Sequence, residues 1–156
     1  MSILVAAAAV IDQPHYLLDT NIISHMMMDA DGAVGQRAQK LLLSQPERQL
    51  CTSVIVQCEL VYGLAKRPSK RLQRAYEFQI GGLVVLPLDT HVIDHYARLR
   101  AELERLGQFI GPNDTFIAAH ALAIGAVLVT ADSDFTRVPG LRVENWLPND
   151  QETQNG

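Results

Sequence analysis

Short, unbroken apolar runs alternate along the chain with longer stretches of helical spacing, and that alternation constrains the fold more than any other feature. The runs are 15–19, Leu50 to Ser53, Leu83 to Leu86 and Ala126 to Thr130, with a fifth over Leu141 to Val143. Between them the 3.6-residue spacing predicts helices over Ala33 to Ser44, Val54 to Lys66, Lys70 to Ile80, Thr90 to Leu106 and Asn113 to Ile124, the last ended by Gly125. A strand with polar residues on every second position would have one wet face; these have none. They require cover on both faces, and strands alternating with helices supply it by right-handed crossovers. The expected fold is therefore an α/β/α sandwich, three layers around a mostly parallel sheet.

With 156 residues, the chain fits one domain, and 48% hydrophobic residues suffice for a core. We read residues 15–148 as that domain, residues 1–14 as an extension of open role, and 149–156 as a disordered polar tail. The apolar start, Met1 to Ile11, lacks a basic segment, falls short of the roughly 20 residues that span a bilayer and runs into Asp12, Gln13 and Pro14. It is read as neither signal nor anchor. Two cysteines, Cys51 and Cys58, both inside apolar segments, fit a reducing compartment, so the expectation is a cytoplasmic protein without a membrane partner.

In an open parallel sheet, sites form beyond the carboxyl ends of the strands. Asp19 ends the first run, and Asp132 follows Thr130 by two residues. Asp114 falls in the first turn of a strongly apolar helix, after Gly111, Pro112 and Asn113. Glu59 sits within an apolar helix with no Lys or Arg three or four residues away. Each has an ordinary structural role open to it. Asp114 suits a helix N-terminus, Asp132 suits a turn with Ser133 and Asp134, and Asp19 suits a cap. Glu59 is the hardest to explain so, because burying a carboxylate calls for a cation or donors. Acids gathered at one edge would repel one another unless a multivalent cation stood among them. With no Cys or His at ligand spacing in these segments, the donors are all oxygen, which suits Mg²⁺, or Mn²⁺, rather than Zn²⁺.

Four ordered segments carry a family resemblance: Leu17 to Asn21, Glu59 to Gly63, Gly111 to Ala121, and Thr130 to Phe135. Together they resemble the motifs of PIN-domain ribonucleases, most of all the VapC and FitB-like toxins. The resemblance implies that Asp19, Glu59, Asp114 and Asp132 are the metal-binding and catalytic acids, with Asp134 a weaker fifth and Asn21 and Thr130 orienting them. It further implies hydrolysis of RNA phosphodiesters, a VapB-like antitoxin that inhibits the enzyme, and a homodimer that forms a heterotetramer or larger assembly with that antitoxin. The extension over 1–14 departs from the family, whose members begin close to the first strand.

A net charge of −4 speaks against nucleic acid. Of the 17 acidic residues, however, the five at the proposed site leave 12 against 13 basic ones. Lys66, Arg67, Lys70, Arg71 and Arg74 concentrate five of those 13 within nine positions, as a solvated helix start or as a phosphate track. Rival readings fit less well. A haloacid-dehalogenase-like phosphatase wants a second Asp two residues after the first, where Asn21 stands. A receiver domain wants an acidic pair and a late lysine, and a dinucleotide site wants a glycine-rich first turn; none is present. A purely protein-binding scaffold is separated from these by a nuclease assay. His91 and His95, four apart, read as a surface pair. His120 reads as packed, and Met26 to Met28 as core, with a binding surface as the second reading.

Overall fold

The computed structural model describes residues 15–149. The expected extension over 1–14 and the tail from 150 onward lie outside the described residues.

Five strands, β1 (Tyr16–Leu18), β2 (Leu50–Ser53), β3 (Val84–Leu86), β4 (Val127–Val129) and β5 (Val143–Glu144), form one sheet in the order β3-β2-β1-β4-β5. Every pairing is parallel: Tyr16 lies beside Leu50 on one side and Val127 on the other, Thr52 beside Val85, and Val129 beside Glu144. β1, β2 and β4 are buried at every residue, which is why their apolar runs are unbroken. The edge strands β3 and β5 are partly exposed. β5 begins two residues later and ends one residue later than its apolar run predicts, because the register pairs Leu128 with Val143 and Val129 with Glu144.

Six helices connect the strands: α1 (Thr20–Met28), α2 (Ala33–Ser44), α3 (Val54–Lys66), α4 (Lys70–Gly81), α5 (Val92–Leu106) and α6 (Pro112–Ile124), followed by a 3₁₀ turn over Ser133–Arg137. α1, α2 and α4 pack together, α5 packs on α6, and α3 reaches both groups. The sandwich is the one expected. The order places the first two crossovers on one side of β1 and the return to β4 on the other, so the chain reverses direction between β1 and β4. Ligand crevices open at such switch points.

The reading from sequence predicts no helix over α1. Ile22, Ile23 and Met26 bury its inner side, and the Asp19 side chain caps it by accepting from the Thr20 amide at 2.8 Å. Its signal is present but short, nine residues against a strand end. α5 begins at Val92 rather than Thr90, since Asp89 draws the amide of His91 into a turn at 2.9 Å. A second correction concerns α3, whose apolar surround predicted burial. Val56 and Leu60 are buried, but Cys58, Val61 and Tyr62 are exposed, because only one side of the helix meets the core. Cys51 and Cys58 are unpaired, and burial pushes the Cys51 thiol up to about 12. No helix among the described residues is long and apolar enough to cross a membrane.

Candidate active site

Asp19 is the first residue past β1, and it is 4% exposed. Its Oδ1 holds the start of α1, while Oδ2 accepts from the Thr130 hydroxyl at 2.7 Å and, more weakly, from Asn21 Nδ2 at 3.4 Å. Thr130 stands just past β4, so this contact joins the ends of the two strands that flank the switch point. Asn21 ties them again. Its Nδ2 donates to Thr130 Oγ1 at 3.2 Å and its Oδ1 accepts from the Ala131 amide at 3.0 Å. Burial raises the Asp19 pKa, and Glu59 and Asp132 raise it further against the pull of the Thr130 and Thr20 hydrogen bonds.

Asp114 lies in the first turn of α6, which starts at Gly111 and Pro112 and closes at Gly125 with φ of 66°. Its carboxyl is pushed up to about 6, first by burial and then by repulsion from Asp19, Asp132, Glu59 and Asp134. That coupling is the plainest physical sign that the five acids share one edge, since their positions in the sequence run from 19 to 134. A helix N-terminus favours a carboxylate, so a raised value there means that burial and the neighbouring acids together outweigh the helix.

Glu59 reaches the same edge from α3. The Thr20 hydroxyl donates to its Oε2, and Asn113 Nδ2 donates to Oε1 at 3.2 Å. The sequence reading leaves both donors unnamed. Asp132 combines its two readings: it lies among the acids, and its Oδ1 caps the 3₁₀ turn by accepting from the Asp134 amide at 2.9 Å. Asp134 is partly neutralised by Arg137 at 3.4 Å, which fits a weaker fifth place. As the side chains are oriented, no three of these acids among the described residues surround a common point closely enough to chelate an ion; Thr20, Asn113 and the Asp134 amide occupy the oxygens of Glu59 and Asp132 instead.

His120 is packed, as expected: it is 2% exposed, with Nδ1 2.8 Å from Ser53 Oγ. His91 pairs with Asp89, and His95 is exposed. The methionines divide, Met26 buried and Met28 61% exposed. Met26, with exposed Leu42 and Phe78, lines a groove of about 420 Å³ between α1, α2 and α4.

A family model described as PIN domain matches residues 16–141. Ribonuclease VapC2 of Haemophilus influenzae is 34% identical over 137 residues, covering 85% of this chain and 98% of that protein. The tRNA(fMet)-specific endonuclease VapC of Salmonella typhimurium is 35% identical over 134 residues, covering 84% and 97%. Among solved structures, VapBC2 of Rickettsia felis bound to a promoter DNA fragment superposes with a TM-score of 0.77 at 33% identity, over 85% of this chain and 98% of that one. Shared sheet, shared length and a model spanning nearly all of the described residues agree, and the chain belongs to the PIN domain family, among its VapC members.

Proposed function

We propose that this chain is a divalent-metal-dependent endoribonuclease, the toxin of a VapBC-like toxin–antitoxin pair. The observation that carries the chemistry is the gathering of five acids at one sheet edge: burial, and then repulsion from the other four, drive Asp114 up to about 6. The all-oxygen donor chemistry of Asp19, Glu59, Asp114 and Asp132, with Asp134 outermost, suits Mg²⁺ or Mn²⁺, which would have to draw carboxylates now turned apart onto one point. Held by these acids, such an ion would supply an activated water and would offset the phosphate charge. The chain's own residues supply the rest. Thr130 and Asn21 fix Asp19 on the axis between β1 and β4. Thr20 and Asn113 aim Glu59 from the opposite side. Asp132 is held by the turn it caps. The edge so built accommodates a phosphodiester only with the cation, since carboxylates alone repel it.

The groove lined by Met26, Leu42 and Phe78 suits an amphipathic helix of a VapB-like antitoxin, and the superposed relatives were solved as VapBC complexes. A homodimer within a larger complex is the accompanying expectation. Two relatives act on tRNA(fMet), so initiator tRNA is the first substrate to try. In that assay we expect cleavage with Mg²⁺ or Mn²⁺, none in EDTA, and none by Asp19→Asn. Cleavage that survives exhaustive chelation refutes the metal mechanism; loss of cleavage by neither treatment refutes the site.

A further inference from the structure

Helix α4 begins against its own electrostatics. Ser69 caps it by accepting from the Leu72 amide at 3.3 Å, after which the first turn carries Lys70 and Arg71 and no acid. A helix N-terminus favours anions, so both cations sit at the wrong end. Arg74 adds like charge three and four residues on, a spacing that destabilises a helix. Arg67 and Lys66 precede them, and all five are exposed. Among the described residues none of the five lies within ion-pair distance of a carboxylate, whereas Arg37, Arg100, Arg105 and Arg137 are each paired with an acid. Charge left unpaired at such a cost calls for a polyanion from outside.

The patch is continuous with the acid edge. Glu59, Tyr62 and Lys66 recur at intervals of three and four along α3 and so share one face. The helical rise sets Lys66 about 10 Å beyond Glu59. Between them the Tyr62 ring is 66% exposed, with Lys66 Nζ 5.9 Å from its centroid. On another side of α3, Lys70 and Arg74 line an open groove of about 760 Å³ between α3 and α4, together with Val61, Leu64 and the acid Glu77. An exposed ring beside a cation, followed by a run of further cations, is the pattern that tracks single-stranded nucleic acid, the ring stacking a base while the cations hold phosphates. The groove at Leu42 and Phe78 lies elsewhere, between α1, α2 and α4, and no charged residue among the described residues lines it.

The geometry points to this face of α3 and the first turn of α4 as the track that delivers RNA to the acids: Tyr62 stacks a base, and Lys66, Arg67, Lys70, Arg71 and Arg74 hold the backbone. The assignment rests on the ribonuclease reading above. It is tested by anisotropy of a labelled single-stranded RNA of mixed sequence, bound to the full chain in EDTA across a salt series. Lys70→Ala with Arg71→Ala is expected to weaken binding at least fivefold for any sequence and to flatten the dependence of log K on log salt by about 1.4, about 0.7 for each phosphate no longer neutralised. Tyr62→Ala weakens binding without changing that slope, and Tyr62→Phe restores it. Single-turnover cleavage at saturating RNA stays at the wild-type rate in the charge variant. If wild type binds and cleaves RNA but the variants match its affinity and slope, the track is overturned and the nuclease stands. If Tyr62→Ala alters self-association by light scattering and leaves RNA affinity intact, the face is a protein contact and the track is again overturned. A wild type that neither binds nor cleaves RNA overturns the ribonuclease reading, and the track with it.

Discussion

Replacing Asp114 with Asn should stabilise the metal-free protein, and only above mildly acidic pH. The carboxyl is raised to about 6 from an ordinary value of 3.8. A folded-state pKa above the unfolded one means that the folded chain binds the proton more tightly. The resulting penalty is absent below about pH 4, grows between about pH 4 and 6, and is complete above. Converted in full, the shift is worth about 3 kcal/mol. Asp114 is half-buried, so solvent screening reduces this to about 1–2 kcal/mol. Losing a charge that suits the helix N-terminus takes back about 0.3–1 kcal/mol. Burial and repulsion together still win, by about 1 kcal/mol, which for a chain of this size raises Tm by about 2–4 °C. Thermal melts of Asp114→Asn and wild type in EDTA, at several values between about pH 4 and 7.5, read this directly. The gap should open with pH and should close or reverse when Mg²⁺ is added, because the ion stabilises only the wild type. A variant less stable at neutral pH, or a gap that ignores pH, refutes the claim that the acids strain one another.

Asp19→Asn keeps an oxygen to cap α1 and should leave the melting temperature within a few degrees while abolishing cleavage. Asp19→Ala also loses the cap and should cost a further 1 kcal/mol or so by denaturant titration. Thr20→Val frees Glu59 from one of its two donors and is expected to raise the Mg²⁺ concentration for half-maximal cleavage, measured by metal titration, without unfolding the chain. Expression of the wild type alone should arrest growth of a host, and co-expression of the cognate antitoxin should relieve it. Phe78→Glu should abolish that relief while leaving cleavage intact, read as growth curves and a tRNA assay side by side.

The sheet and most of its helices were legible because each rests on local pattern: buried strands show unbroken apolar runs, and α6 is framed by Pro112 and Gly125. The acids were legible for the same reason, since a strand end is a place in sequence and Asp19 and Asp132 mark two of them. What joins them was not. Thr20 meets Glu59 across 39 residues and Asn113 meets it across 54, and no periodicity encodes a hydrogen bond between two helices. The exposed side of α3 was hidden as well, because Val61 and Tyr62 have the same composition whether they face a core or a partner. α1 was missed because it is only nine residues long and its five apolar residues, Ile22, Ile23 and Met26 to Met28, cluster in two short runs rather than repeating over several turns.

The contact between His120 and Ser53 has a consequence for how such a chain diverges. Ser53 caps α3, its Oγ accepting from the Ile55 amide, and the same oxygen meets the buried imidazole of α6. The helix that carries Glu59 and the helix that carries Asp114 are thereby pinned by one atom. A lineage that loses the hydroxyl at position 53 strands an imidazole nitrogen where no water can serve it, and one that loses the histidine leaves a void beneath a strand end. Either step alone is costly, so positions 53 and 120 should change together among descendants or not at all, and that coupled inheritance would trace the spacing of the acids even in relatives whose acids have been replaced.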